Sequence, residues 1–218
     1  VIPNYNGMKY LAECMTSLCR EQQNAPGYEV LIIDNASVDG SVEYLQKEWC
    51  GEGVRLISLP ENTGFCHAVN LGIREAKTPY VILLNNDTKA EAGFVRGLYD
   101  AIRENEKIFS VSAKMLMWDR PELIDDAGDR YCVLGWAYSR GKGRPAADYD
   151  KSVPVFSACG GAAIYRRSVF EEIGYFDEEH FAYLEDLDIG YRARIYGYEN
   201  RYEPKAAVLH YGSASTGS

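Results

Sequence analysis

The residues of this chain best placed for chemistry are carboxylates and amides standing at the ends of apolar runs. In YVILLNNDT, residues 80–88, five apolar side chains are followed by Asn85, Asn86 and Asp87. Asp34 ends the run from Glu29 to Ile33 in the same way, and Asn4 follows Val1-Ile2-Pro3. A turn accounts for any one of these, because Asn and Asp bond their own backbone and tolerate unusual dihedrals. A ligand or metal site at the carboxyl ends of parallel strands accounts for all three together. Asp34 and Asp87 would then bring two carboxylates from different strands to one rim. Hard oxygen donors of that kind suit Mg2+ or Mn2+ carrying a phosphate better than zinc.

Other groups have a structural and a chemical reading side by side. Asn62-Thr63-Gly64-Phe65 is a glycine turn before a helix, where backbone N–H groups can approach an anion. Glu185-Asp186-x-Asp188 opens a helix, where acidic residues complement the helix dipole. The same place suits a general base whose pKa is raised by partial burial, with Phe176, Phe181 and Tyr183 as an aromatic wall. His210, at the end of the last apolar run, is either a satisfied structural residue or a ligand completing an oxygen-donor metal site. Asp39 reads as the cap of the following helix or as an Asx turn. Trp118, Trp136 and Tyr138 read as packing residues.

Periodicity supplies the elements that must position these groups. Strands are expected at 1–3, 29–33, 54–59, 80–84 and 108–113. Between them, apolar residues spaced by three and four mark helices through Met8–Cys19, Val42–Trp49, Val69–Ile73 and Phe94–Ile102. Strand and helix alternate four times, which implies βαβ units and a mostly parallel sheet. After residue 114 the rhythm is lost, and 118–152 reads as an irregular insertion or a pair of short strands. A strand broken by Gly160-Gly161 is expected over 156–165. Helices follow at 168–173 and 184–196, then a strand at 202–210 and a loose tail at 212–218. One domain with two lobes, 1–113 and 114–218, fits better than two domains, and both chain ends read as trimmed.

Bulk properties narrow the function. The chain has 218 residues, 46% hydrophobic and 25% charged, and a net charge of −9, which argues against non-specific nucleic-acid binding. No apolar run approaches the roughly 18–20 residues that span a bilayer. Six cysteines without a CxxC pair read as reduced thiols of a cytosolic protein.

Taken in order, VIPNYNG, VLIIDNASVDGS, ENTGFCHAVNLGI, YVILLNNDT and CGGAAIYRRSVFEEIGYFDEEHFAYLEDLDIGYR resemble the family 2 glycosyltransferases. The similarity is greatest to the bacterial rhamnosyltransferase-like branch and covers nearly the whole chain. It implies the GT-A fold, a Rossmann-like three-layer α/β/α sandwich, with a nucleotide-sugar half and an acceptor half. By this resemblance Pro3, Asn4 and Tyr5 lie beside the base and ribose, and Asp34 bonds the pyrimidine. Asn62, Gly64, Asn85 and Asn86 join the nucleotide-sugar contacts. Asp87 closes the family's Asp-x-Asp motif as a ligand to a divalent cation, Mg2+ or Mn2+, and His210 is a further ligand. Asp186 is the general base, with Gly160, Gly161 and Glu185 on the acceptor and sugar side. Asn85 departs from the motif, whose first residue is a carboxylate; an amide still bonds a ribose hydroxyl, and metal binding rests on Asp87. The implied reaction is inverting transfer from a UDP- or dTDP-sugar to a saccharide or lipid-linked saccharide, in the cytoplasm or at the inner face of the membrane. Peripheral membrane association stays open. A nucleotidyltransferase, or a nucleotide-sugar-binding protein without turnover, are the alternatives.

Overall fold

A computed structural model describes residues 1–51, 53–132, 134–180 and 184–212. The expected aromatic wall at Phe181 and Tyr183, and the tail at 213–218, lie outside the described residues. The chain runs β1 (Ile2–Asn4), α1 (Met8–Cys19), β2 (Val30–Asp34), α2 (Ser41–Glu48), β3 (Val54–Ser58), α3 (Gly64–Glu75) and β4 (Tyr80–Leu84). Then come β5 (Thr88–Ala90), α4 (Phe94–Ile102), β6 (Ile108–Met117), β7 (Arg120–Asp126), β8 (Asp129–Tyr131) and β9 (Ala137–Ser139). A 3-10 turn at Ala146–Asp148 precedes β10 (Val153–Val155), β11 (Ala162–Arg166), α5 (Arg167–Ile173), α6 (Glu185–Ile195) and β12 (Glu199–His210).

Strands β1, β2 and β3 pair in parallel, in spatial order 3-2-1. Val1 joins this group to β4: its amine donates to Ile82 O at 2.7 Å, and its carbonyl accepts from Leu84 N at 3.1 Å. Beyond β4 come β11, β6, β12 and β10. β11 is antiparallel to both β4 and β6, so those two run the same way, and β12 is parallel to β6. Six strands therefore share one direction, with β11 threaded against them. The sheet is mixed because this late strand fills the slot that a further crossover would otherwise need.

Period-two alternation sends neighbouring side chains to opposite faces. Leu84 and Ile164 meet α1 and α4 through Leu11, Met15, Phe94 and Leu98 on one side. Leu83, Ala163 and Tyr165 meet α3, α5 and α6 through Val69, Phe170 and Ile189 on the other. These are the three layers.

Two expectations change, and the alternatives at 118–152 reduce to one. The strand drawn at 156–165 begins only at Ala162, because residues 157–161 form the approach to it. Of the two readings of 118–152, the pair of short strands is the one found: β8 and β9 form a hairpin, and β7 before it folds back on β6. Trp136 and Tyr138 are exposed at 71% and 52%, so they do not pack. Trp118 does, stacked on Tyr211 at 3.7 Å between ring centroids.

Candidate active site

The parallel strands deliver Asn4, Asp34 and Asn85–Asp87 to one rim, and hydrogen bonds tie them together. Asn4 Nδ2 donates to Asp34 Oδ1 at 2.7 Å, and Asn86 Nδ2 donates to Asn4 Oδ1 at 2.7 Å. Asp34 also accepts from Ser37 Oγ at 2.6 Å and Ser37 N at 3.0 Å. Asp34 and Asn4 are fully buried, whereas Tyr5 is 47% exposed and Pro3 is half-buried. Asp34 is thus turned inward, holding Asn4 and the turn after β2, and Tyr5 is the member of its group that faces solvent. Asp39 accepts from Ser41 N two residues on, an Asx turn leading into α2, and also from Met8 N at the start of α1.

Gly7 packs directly on this network. A Cβ there would lie 2.0 Å from Asn86 Nδ2 and 2.4 Å from Asn4 Oδ1. Gly7→Ala is expected to break the Asn4–Asn86 bond and to cost about 1–3 kcal/mol of stability, as overpacking does. A chemical denaturation curve measures the loss, and a midpoint equal to wild type contradicts the packing described.

Asn35, which sequence reasoning passed over, ties β2 to the expected anion turn. Its side chain accepts from Thr63 N at 3.1 Å and donates to Gly64 O at 2.9 Å. Asn62 Oδ1 accepts from Gly64 N at 3.0 Å. Gly64 has φ +83°, a conformation that favours glycine. Asn6, Ala36 and Leu184 also have positive φ, and all three flank the rim or the start of α6. Backbone strain of this kind gathers at functional sites.

The Gly160-Gly161 pair links the rim to the start of α6. Gly160 N donates to Asp186 Oδ2 at 3.2 Å, and Gly161 O accepts from Asn85 N at 2.9 Å. A side chain on Gly161 would meet Asn85 Nδ2 at 3.2 Å. One dipeptide therefore holds both the triplet and the carboxylate at the start of α6. Asp186 accepts a second backbone bond, from Leu187 N at 2.8 Å. Burial raises its carboxyl above the ordinary value, and these backbone donors only partly offset that. Asp188 is different: Arg192 pairs with it at 2.6 Å, a structural i,i+4 bridge. Glu185 is buried in the same first turn.

Two further acids approach from the β7–β8 region. Burial pushes Asp129 up to about 8, with the negative charges of Asp186 and Asp126 adding to it. Burial likewise takes Asp126 to about 6, against bonds from Ser139 Oγ and Gly128 N. A folded-state pKa above the unfolded value means stability that is present at low pH and lost as pH rises. Asp129→Asn should therefore raise Tm relative to wild type, by a margin that grows from about pH 4 to about pH 8 and then levels. Its amide oxygen can still accept from Ser157 Oγ, 3.0 Å away in the wild type. Thermal melts across that range test this, and a pH-independent difference overturns it.

Asp87 is buried, and its Oδ1 lies 3.5 Å from His210 Nε2. On the other side of the ring, Nδ1–H donates to Asp125 Oδ2 at 2.6 Å. Burial alone would lower the His210 pKa, but bonds to Asp125 and Asp87 outweigh it and raise the ring to about 9. A carboxylate behind a histidine fixes which nitrogen faces forward, the usual support for a metal ligand. The donor set fits a divalent cation with one carboxylate oxygen and one imidazole nitrogen. No group of three or more His, Cys, Asp or Glu placed so that all could hold one metal ion is found among the described residues; a hard cation also takes phosphate and water oxygens as ligands. An apolar cavity of about 260 Å3 lies at the opposite, amino ends of β1, β2 and β4, away from this rim.

Fold and rim together define a nucleotide-diphospho-sugar type of α/β domain, and the comparisons make this definite. A profile described as "Glycosyl transferase family 2" matches residues 1–174. The chain is 31% identical, over 216 positions, to an N-acetylglucosaminyl-diphospho-decaprenol L-rhamnosyltransferase of Mycobacterium tuberculosis, covering 86% of this chain and 68% of that one. Among solved structures it is similar to GalNAc-T7 with UDP, GalNAc and Mn2+, at a TM-score of 0.77 and 18% identity, over 96% of this chain and 42% of that one. It is also similar to a mannosyltransferase of Pyrobaculum calidifontis in complex with GDP-Man and Mn2+, at a TM-score of 0.71 and 18% identity, over 96% and 55%. The chain belongs to glycosyl transferase family 2 and has the GT-A fold. It is a glycosyltransferase, and among the described residues no helix is long and apolar enough to cross a membrane.

Proposed function

We propose that this domain performs inverting, metal-assisted transfer of a sugar from a UDP- or dTDP-sugar to a hydroxyl of a saccharide or lipid-linked saccharide. The observation that carries the reading is the Gly160-Gly161 bridge, which holds Asp186 and the Asn85–Asp87 triplet in one assembly. Asp186 accepts from two backbone donors, and its carboxyl is made more basic by burial, as a general base requires. It takes the proton of the acceptor hydroxyl as that oxygen attacks the anomeric carbon from the face opposite the diphosphate. A single displacement inverts the configuration and needs no protein nucleophile.

On the donor side Tyr5 and Pro3 flank the base, Asn4 and Asn86 are pre-oriented by their mutual bond, and Asn85 serves the ribose. Asn62 and Gly64 present the α3 turn to the nucleotide-sugar, while Asp34 acts through Asn4. Asp87 and His210 would hold Mg2+ or Mn2+, which when bound offsets the charge of the leaving diphosphate. Gly160, Gly161 and Glu185 border the acceptor side. The two solved relatives contain Mn2+ with UDP or GDP-Man, and the mycobacterial relative is named for a diphospho-decaprenol acceptor and rhamnosyl transfer. The diphospho-decaprenol name favours a lipid-linked acceptor at a membrane, and six free thiols favour its cytoplasmic side. A transfer assay pairing UDP- and dTDP-sugars with Mn2+, read by the anomeric configuration of the product, tests the proposal. A product of retained configuration overturns the mechanism.

A further inference from the structure

The exposed apolar surface of this domain is gathered, not scattered. Eight of the twelve exposed large apolar side chains among the described residues fall between 131 and 196. Larger clusters of that kind mark interaction sites. The centre is the β8–β9 hairpin, in which Arg130 faces Tyr138 and Tyr131 faces Ala137. At its tip Leu134 is 80% exposed and Trp136 is 71% exposed, beside a turn in which Gly135 has φ +86°. Tyr131 packs on Phe156 at 5.0 Å between ring centroids, and Phe156 stacks on Tyr191 of α6 at 5.9 Å. Ile195 stands one turn beyond Tyr191 on the same helix face and is 66% exposed. Hairpin and helix thus make one continuous aromatic and aliphatic face.

The charge of the hairpin is opposite to that of the rest of the chain. Between Asp129 and Asp148 the sequence has Arg130, Arg140, Lys142 and Arg144 and no acid, although the net charge is −9. Arg130, Lys142 and Arg144 are exposed; Lys142 also pairs with Asp125 at 3.1 Å. Arg140 is turned inward over Tyr149 and Tyr202, and Arg194 of α6 lies over the Phe156 ring at 5.2 Å. Acids resume at Asp148 and Asp150, outside the hairpin. Tryptophan, tyrosine and leucine at a tip, surrounded by Arg and Lys, are what a bilayer interface with anionic headgroups selects. A second copy is a poorer occupant, since a two-fold contact would set the same cations against one another.

The hairpin root is continuous with the site. Asp129 N donates to Ser157 O at 3.0 Å and Phe156 N donates to Asp129 O at 3.0 Å, and the chain from Ser157 leads to Gly160, which holds Asp186. We propose that the β8–β9 hairpin and the outer face of α6 form an interfacial docking surface for an anionic lipid bilayer, placing the acceptor side of the site against the membrane. The placement of the acceptor rests on the function proposed above; the bilayer contact does not.

The test is flotation of the chain with phosphatidylcholine vesicles, with and without phosphatidylglycerol, in low and high salt. Binding is expected on the anionic vesicles, weaker on neutral ones and reduced by salt. Leu134→Glu/Trp136→Glu should weaken it about tenfold or more. Arg130→Glu/Arg144→Glu should remove its preference for anionic lipid, and both variants should keep the wild-type Tm. Equal flotation of wild type and both variants overturns the proposal, as does no flotation of the wild type. Self-association of the wild type in sedimentation, lost in the Leu134/Trp136 variant without any vesicle binding, overturns it in favour of a second copy. No donor or acceptor is present in these assays, so a failed transfer assay beside intact flotation tells against the function alone.

Discussion

Asp186→Asn is expected to lower turnover about 10²–10⁴-fold, the range a positioned general base supplies, while nucleotide affinity stays close to wild type. The substitution keeps the size of the side chain, and its oxygen can still accept from Gly160 N–H or Leu187 N–H, the two donors that hold Asp186. What it removes is an oxygen able to take a proton. The pH profile supplies an independent reading. The base works only when ionised, so kcat/KM should fall as pH drops through its pKa. Burial raises that pKa, so the acid limb should lie above the ordinary aspartate value of about 3.9. A merely structural Asp186 would lose Tm in the Asn variant and leave no such limb. Calorimetric titration with UDP and dTDP, beside single-turnover transfer, separates these outcomes. Transfer at the wild-type rate by Asp186→Asn would remove this residue from the mechanism.

Much of the rim was legible because it depends on short-range pattern. Each apolar run announces a strand, the alternation with helices makes neighbouring strands parallel, and parallel strands put Asn4, Asp34 and Asn85–Asp87 on the same edge. What escaped depends on pairings that local pattern does not encode. Asp125 meets His210 across 85 residues, and only because β7 folds onto β6 while β12 lies along its other edge. The acidic stretch from Asp125 to Asp129 in an otherwise apolar-flanked segment was the available signal, and its burial could not be read without that register. The direction of β11 was hidden for a similar reason: Ala162–Arg166 is buried almost throughout, and an apolar run says nothing about which way it runs. Gly7 could not be singled out either, since its constraint is an atom of Asn86 pressed against it from the turn after β4. Trp136 and Tyr138 were misjudged because an aromatic residue is the same letter whether it packs or faces outward.

The second large effect concerns Asp87. Asp87→Ala is expected to abolish the increase in nucleotide affinity that Mn2+ gives the wild type and to lower transfer on the order of 10²-fold or more, since metal assistance is worth several kcal/mol. The reasoning is electrostatic. Asp87 is the only carboxylate in the Asn85–Asp87 triplet, and Asn85 can offer a cation a dipole but no charge. With Asp87 gone, His210 Nε2 loses the carboxylate 3.5 Å in front of it, and a neutral imidazole alone holds a hard cation poorly. Asp125 provides the finer test, because it meets the His210 ring only at the far nitrogen, its other oxygen pairing with Lys142. Asp125→Asn should keep the metal-free nucleotide affinity, yet raise the Mn2+ concentration needed for half-maximal activity by about 10–100-fold, the usual cost of losing the group behind a ligating histidine. A purely structural Asp125–His210 pair would instead lower Tm and leave the Mn2+ requirement where it was. Mn2+ stimulation of Asp87→Ala equal to that of wild type would place the cation elsewhere on the rim.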